Sequence, residues 1–122
     1  MNAPLYDRLG GEAAVMAAVD IFYQKVLADK SVSAFFDALD MEAQVQKQIA
    51  FMTWAFGGPA EYKGRDLRTA HASLVKRGLN NTHFDSIAGH LADTLKELGV
   101  PEDLIQESLT IVGGTRKEVL NQ

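Results

Sequence analysis

Apolar residues recur along this chain three and four positions apart, and no stretch alternates with the period of two that a half-buried strand requires. The pattern predicts an all-α fold. A short turn or helix from Pro4 to Leu9 is closed by Gly10-Gly11. From Glu12 to Ala28, Val15, Met16, Val19, Phe22, Tyr23 and Val26 form one broad stripe. Asp29 to Asp40 is short and mixed, with Ser31 as a cap and Phe35-Phe36 turning into the core. A second long helix, Met41 to Phe56, ends at Gly57-Gly58-Pro59, and the glycine and proline content through Gly64 marks a loop. A weaker helix around His71 stops near Gly78. Thr82, with Asp85 three residues on, opens a helix from Phe84 to Leu98 whose apolar positions keep helical spacing up to Gly99. Pro101 starts the last helix, with Glu102 and Asp103 in the first turn, where the helix dipole favours negative charge. Gly113-Gly114 weakens it late.

Composition narrows the classes. A chain of 122 residues, 47% of them hydrophobic, predicts one domain spanning 1–122 around a single core. With no cysteine there is no disulfide framework, thiolate zinc site or thiol nucleophile, so the expected setting is the cytoplasm. No apolar run approaches the roughly 20 residues of a membrane span, and the N-terminus lacks the regions of a signal peptide. The expectation is a soluble chain without a membrane partner. The net charge of −4 and the scattering of the twelve lysines and arginines argue against a nucleic-acid surface.

Two places carry candidate chemistry. His71 sits in Leu67 to Val75, between a Gly/Pro-rich loop and a second turn signal, where one imidazole could hold a metal cofactor. Taken alone, such a histidine is more commonly a hydrogen-bonded core or boundary residue. On the Met41 to Phe56 helix, Gln44, Gln48, Phe51 and Ala55 fall within about 60° of one another, with Lys47 bordering them and Met52 on the other flank. Two amides share a face with apolar side chains. This is either the boundary stripe of an amphipathic helix or one wall of a pocket for a small polar ligand, since buried amides without partners are costly. Tyr23 could supply a hydroxyl to the same pocket.

The order of short motifs adds a resemblance. Leu5-Tyr6 with Leu9-Gly10-Gly11, Phe22-Tyr23, Phe35-Phe36, Asp40-Met41 through Gln44, Ala50-Phe51 to Phe56-Gly57-Gly58, Tyr62 with Gly64-Arg65, Ala70-His71, His83-Phe84-Asp85 and Leu95 to Val100 together resemble the truncated haemoglobins, group I. Each pair is weak alone; their order and spacing over nearly the whole chain are specific. The resemblance implies a two-over-two helical sandwich around haem b.

Carried over residue by residue, the resemblance makes His71 the proximal iron ligand. Phe36 becomes the aromatic on the haem face, with Phe35 ordinary core. Phe51 lines an apolar route for diatomic gases, and Met52 joins the cofactor-binding set. Tyr23, Gln44 and Gln48 become the distal set, whose donors stabilise O2 as it takes up negative charge and help neutral CO less. His83 and His90 read as structural or solvated. Lys47 stays open between pairing with a haem propionate and binding iron as a sixth ligand. Ligation needs a neutral amine, and deprotonating a lysine at pH 7 costs roughly 4 to 5 kcal/mol, which the bond to iron must offset. Cyanobacterial relatives can attach haem through a histidine in the last helix, but Ile111 to Gln122 contains none, so the haem is expected to be non-covalent.

Three functional classes follow. The first is a gas-binding protein for O2, NO and CO that converts NO to nitrate by dioxygenation, with an external reductase because nothing resembles a flavin or nicotinamide site; a monomer is expected. The second is an electron-transfer or gas-sensing protein with Lys47 as a displaceable ligand. The third is a haem-free helical interaction module.

Overall fold

The computed structural model describes residues 3–37, 39–59, 71, 72 and 74–120, and every regular element among them is helical. Helix α1 (Leu5–Leu9) ends at Gly10, whose φ of +119° lies in the region that a side chain makes costly. The chain passes directly into α2 (Gly11–Ala28), close to the span that periodicity predicted.

The caps differ from expectation in instructive ways. Helix α3 (Lys30–Ser33) is capped by Asp29, not Ser31: Asp29 Oδ1 accepts from the Ser31 backbone N–H at 2.9 Å and from Ser31 Oγ at 2.7 Å. The carboxylate takes two donors from one serine, which the shorter hydroxyl could not do in return. Asp29 Oδ2 also lies 2.7 Å from His90 Nε2, so His90 ties α3 to the helix that carries it. These contacts, the Ser31 hydroxyl first and His90 after it, hold the Asp29 carboxyl down at about 2. Their stabilisation is complete above the ordinary carboxylate value and is lost as pH falls towards 2. A 3-10 turn (Ala34–Phe36) follows α3.

Helix α4 (Met41–Ala55) is capped by Asp40 Oδ1, which accepts from the N–H groups of Glu42 and Ala43. The expected loop reaches residue 64, of which 60–64 lie outside the described residues, as do Tyr62, Gly64-Arg65 and Ala70 of the motif series. Residues 71, 72 and 74–76 are helical, and the turn closes at Gly78 (φ +105°) with Leu79 N–H donating to Leu74 O at 3.0 Å.

Helix α5 (Asn81–Glu97) begins earlier than the Thr82 signal suggested. Asn80 is the cap: its Oδ1 accepts from the N–H groups of Thr82 and His83, and His83 Nδ1 accepts the Asn80 N–H in return at 3.1 Å. An imidazole here takes the place that Glu or Gln holds in the common reciprocal cap. Helix α6 (Glu102–Gly113) starts after Pro101, and a turn at Gly114-Thr115 divides it from α7 (Arg116–Leu120). Arg116 secures α7 to α5 by hydrogen bonds to Asn81 (2.9 Å) and Asp85 (2.6 Å), and its guanidinium lies 4.4 Å from the Phe84 ring centre.

Helix α2 packs against both α4 and α5, and α5 packs against α6, giving two helices over two. The main core gathers Val15, Val19, Phe22 and Val26 of α2 with Phe51, Met52, Leu91, Leu95 and Ile105; a smaller cluster centres on Leu79, Phe84 and Leu120. Among the described residues no helix is long and apolar enough to cross a membrane.

The N-terminus closes over the end of α4. Tyr6 N–H donates to Phe56 O at 2.8 Å, and the Tyr6 ring lies so close to Gly58 that a Cβ there would stand 2.6 Å from its Cγ and 2.9 Å from Thr53 Cγ2. Gly58→Ala should therefore destabilise the fold by about 1–3 kcal/mol in chemical denaturation. Gly113→Ala, where an added methyl meets nothing within 4 Å, should be neutral or stabilising.

Candidate functional site

A cleft of about 290 Å3 opens where the two layers do not close on each other, near the lower end of the roughly 300–1,000 Å3 of small-molecule sites. It brings together all eight site residues expected from sequence. Tyr23 enters from α2, Phe36 from the 3-10 turn, and Gln44, Lys47, Gln48, Phe51 and Met52 from α4. His71 enters from the helical segment before α5.

Tyr23 is the best-defined of them. It is 5% exposed and packs edge-on against Phe22 and Phe36, with ring centres 5.2 and 5.8 Å away. Gln44, 21 positions further on, donates Nε2–H to the Tyr23 oxygen at 3.1 Å. Burial pushes the phenol up to about 12, the Gln44 donor pulling the other way. The hydroxyl therefore keeps its proton at any ordinary pH, and because its oxygen already accepts from Gln44, that proton is available to an acceptor in the cleft. Gln48 lies one turn beyond Gln44 on the same face, half-buried, whereas Lys47 lines the cleft and is exposed.

Apart from Thr115, the remaining lining is apolar, including Leu74, Ile87, Leu91, Val112 and Val119. Sequence reasoning missed these residues because an apolar stripe facing a cofactor has the same periodicity as one facing core. Phe35, expected to be ordinary core, also lines the cleft. Met52 borders both the cleft and a second apolar cavity of about 140 Å3, while Phe51 borders the cleft. Among the described residues no three His, Cys, Asp or Glu side chains converge to hold a bare ion. One imidazole in a mostly apolar cleft suits a metal that arrives with most of its ligands in place, as in a porphyrin.

Known proteins agree. The bacterial-like globin family matches residues 4–121. A group 1 truncated haemoglobin from Synechocystis sp. is 50% identical over 121 residues, covering 97% of this chain and 98% of that protein. One from Tetrahymena pyriformis is 46% identical over 124 residues and covers both chains fully, at 100%. Among solved structures, the 2/2 haemoglobin from Synechococcus sp., in the cyanomet state with covalently attached haem, superposes with a TM-score of 0.93 at 53% identity, covering 98% of this chain and 100% of that one. The chain belongs to the bacterial-like globins and, within them, to the group 1 truncated haemoglobins. Haem b is its cofactor and diatomic gas binding its function class.

The Tyr23 environment has a measurable consequence. Tyr23 should titrate late, at about 12, in an alkaline titration followed by tyrosinate absorbance, and Tyr23→Phe should remove that component. Since burial favours the neutral form, the stability it contributes is complete below the ordinary tyrosine value near 10 and is lost as pH rises through 12.

Proposed function

We propose that this protein holds haem b without a covalent link, with His71 Nε2 as the iron ligand, and stabilises O2 through Tyr23, Gln44 and Gln48. When bound, the haem supplies an iron centre that takes a diatomic gas and can change oxidation state. The observation that carries the reading is the Tyr23–Gln44 hydrogen bond inside a cleft that His71 also lines. Gln44 holds the phenol in place, and Tyr23 keeps its proton and presents it to a ligand that has drawn in negative charge. Gln48 brings a second amide from the same helix face. Phe36 and Met52 supply apolar walls that exclude water and strengthen these bonds.

A further support comes from the solved Tetrahymena pyriformis structures, whose variants alter one tyrosine and two glutamines. These are separated by the same 21 and 4 positions as Tyr23, Gln44 and Gln48 here. An arrangement that holds O2 beside an apolar cavity also suits its reaction with NO. Joining O2 to NO as nitrate consumes one electron, which an external reductase supplies.

His71→Gly should abolish haem uptake, and added imidazole should restore the Soret band. Tyr23→Phe should speed O2 dissociation about 10- to 100-fold, the range of a hydrogen bond to a charged acceptor, and change CO dissociation much less. Rapid-mixing kinetics distinguish these, and equal O2 dissociation in both proteins would overturn the distal assignment. Acid and organic solvent should extract all the haem, because residues 111–122 contain no histidine.

A second reading makes Lys47 a displaceable sixth ligand, favoured by its place on the cleft wall between Gln44 and Gln48. Its exposure favours the alternative, a propionate pair. Lys47→Ala should convert low-spin ferric and ferrous spectra to high-spin if lysine binds iron, and leave them unaltered if it pairs with a propionate.

A further inference from the structure

Phe35 forms part of the cleft wall, and two side chains from other elements grip its ring. His83, in the first turn of α5, meets it edge to face, with ring centres 5.0 Å apart and planes at 74°. Arg77, in the turn that ends the His71 segment, places its guanidinium 5.7 Å from the ring centre and donates from Nη2 to Ala34 O at 3.1 Å. The same 3-10 turn presents Phe36 edge-on to Tyr23, at 5.8 Å. It therefore stands as a strut, touching the buried tyrosine through one aromatic and the His71 segment and α5 through the other.

His83 has a specific protonation requirement in this arrangement. Its Nδ1 accepts the Asn80 N–H, so that nitrogen carries no proton and Nε2 carries the ring's only one. A second proton would turn Nδ1 into a donor facing a donor and break the half of the Asn80 cap that holds the ring in its place against Phe35. Among the described residues, the charged groups nearest it in the fold are Arg77, which shares the Phe35 ring, and the Arg116–Asp85 pair at the start of α5.

We propose that Arg77 and His83 are positioning residues that clamp Phe35 and so fix the 3-10 strut between the His71 segment and Tyr23, setting how long haem stays bound. The proposal rests on haem occupying the cleft beside His71. Failure of that premise would appear as absence of pigment; failure of the clamp would leave pigment binding intact.

The test is the rate of haemin transfer from the ferric holoprotein to excess apomyoglobin, followed at neutral pH and on stepwise acidification. Chemical denaturation of each variant is measured alongside it. Arg77→Gln should speed haem loss about 10-fold at neutral pH, as loss of a cation over an aromatic face and its hydrogen bond implies. His83→Ala should do the same. His83→Gln offers an amide oxygen to the Asn80 N–H at the position where glutamine commonly completes such a cap, and it cannot take up a proton. It should lose haem more slowly than His83→Ala and rise less steeply on acidification than wild type. Acid effects elsewhere in the protein are common to wild type and His83→Gln and cancel in their ratio. Parallel pH profiles for these two, or wild-type haem loss in folded Arg77→Gln, would overturn the proposal.

Discussion

The packing of α2 on two sides is the constraint from which the rest follows. Val19 and Val26 are wholly buried, and Val15, Phe22 and Tyr23 are nearly so, because α4 and α5 both close on this one helix. Glu12, Asp20 and Gln24 lie on the exposed side of this helix, but on its enclosed face no polar group can reach water. A hydroxyl placed in its stripe needs a partner within the protein, since leaving it unsatisfied costs about 1–3 kcal/mol. Gln44 provides that partner. The contact that joins α2 to α4 thus also sets the polar end of the cleft, and the burial that stabilises the layers keeps the phenol protonated.

Helix existence was legible from periodicity because each long helix buries a continuous stripe; the ends were less legible because caps depend on side-chain geometry. Asp29 and Asn80 displaced Ser31 and Thr82 as caps by virtue of acceptors that reach two donors each. The paired glycines at 113 and 114 were readable as a weak point, and α6 does end there, at Gly113 with Gly114 in the turn before α7. Gly58 was readable only as part of a loop. Its actual constraint, a tyrosine ring from 52 residues earlier resting on it, is tertiary and leaves no local trace.

The site divides similarly. Spacing alone placed Gln44, Gln48, Phe51 and Ala55 on one face of α4 with Lys47 at its border, and the structure puts all of these except Ala55 on the cleft wall. Only the resemblance to a family connected that face to His71, since nothing in the local sequence of either segment encodes the other. Phe35 shows the limit of both. Adjacent aromatics in a short turn point in different directions, and the one assigned to core turned out to line the cleft beside its neighbour. His83 was legible as part of a helix-start motif, but its ring contact with Phe35 was not.

The cleft itself follows from a change of polarity along α4. The C-terminal half of that helix buries Phe51, Met52 and Thr53, and the core closes there. One and two turns earlier the same face presents Gln48, Lys47 and Gln44, half-buried or exposed, which cannot pack against the apolar Ile87, Leu91 and Val112 across the cleft without losing their solvation. The layers therefore meet at one end and part at the other. What remains between them is largely apolar on one wall, polar on part of the other and open to solvent at Lys47. A flat apolar ring system with an ionisable edge satisfies all three surfaces at once, which neither a closed core nor a water-filled gap would do.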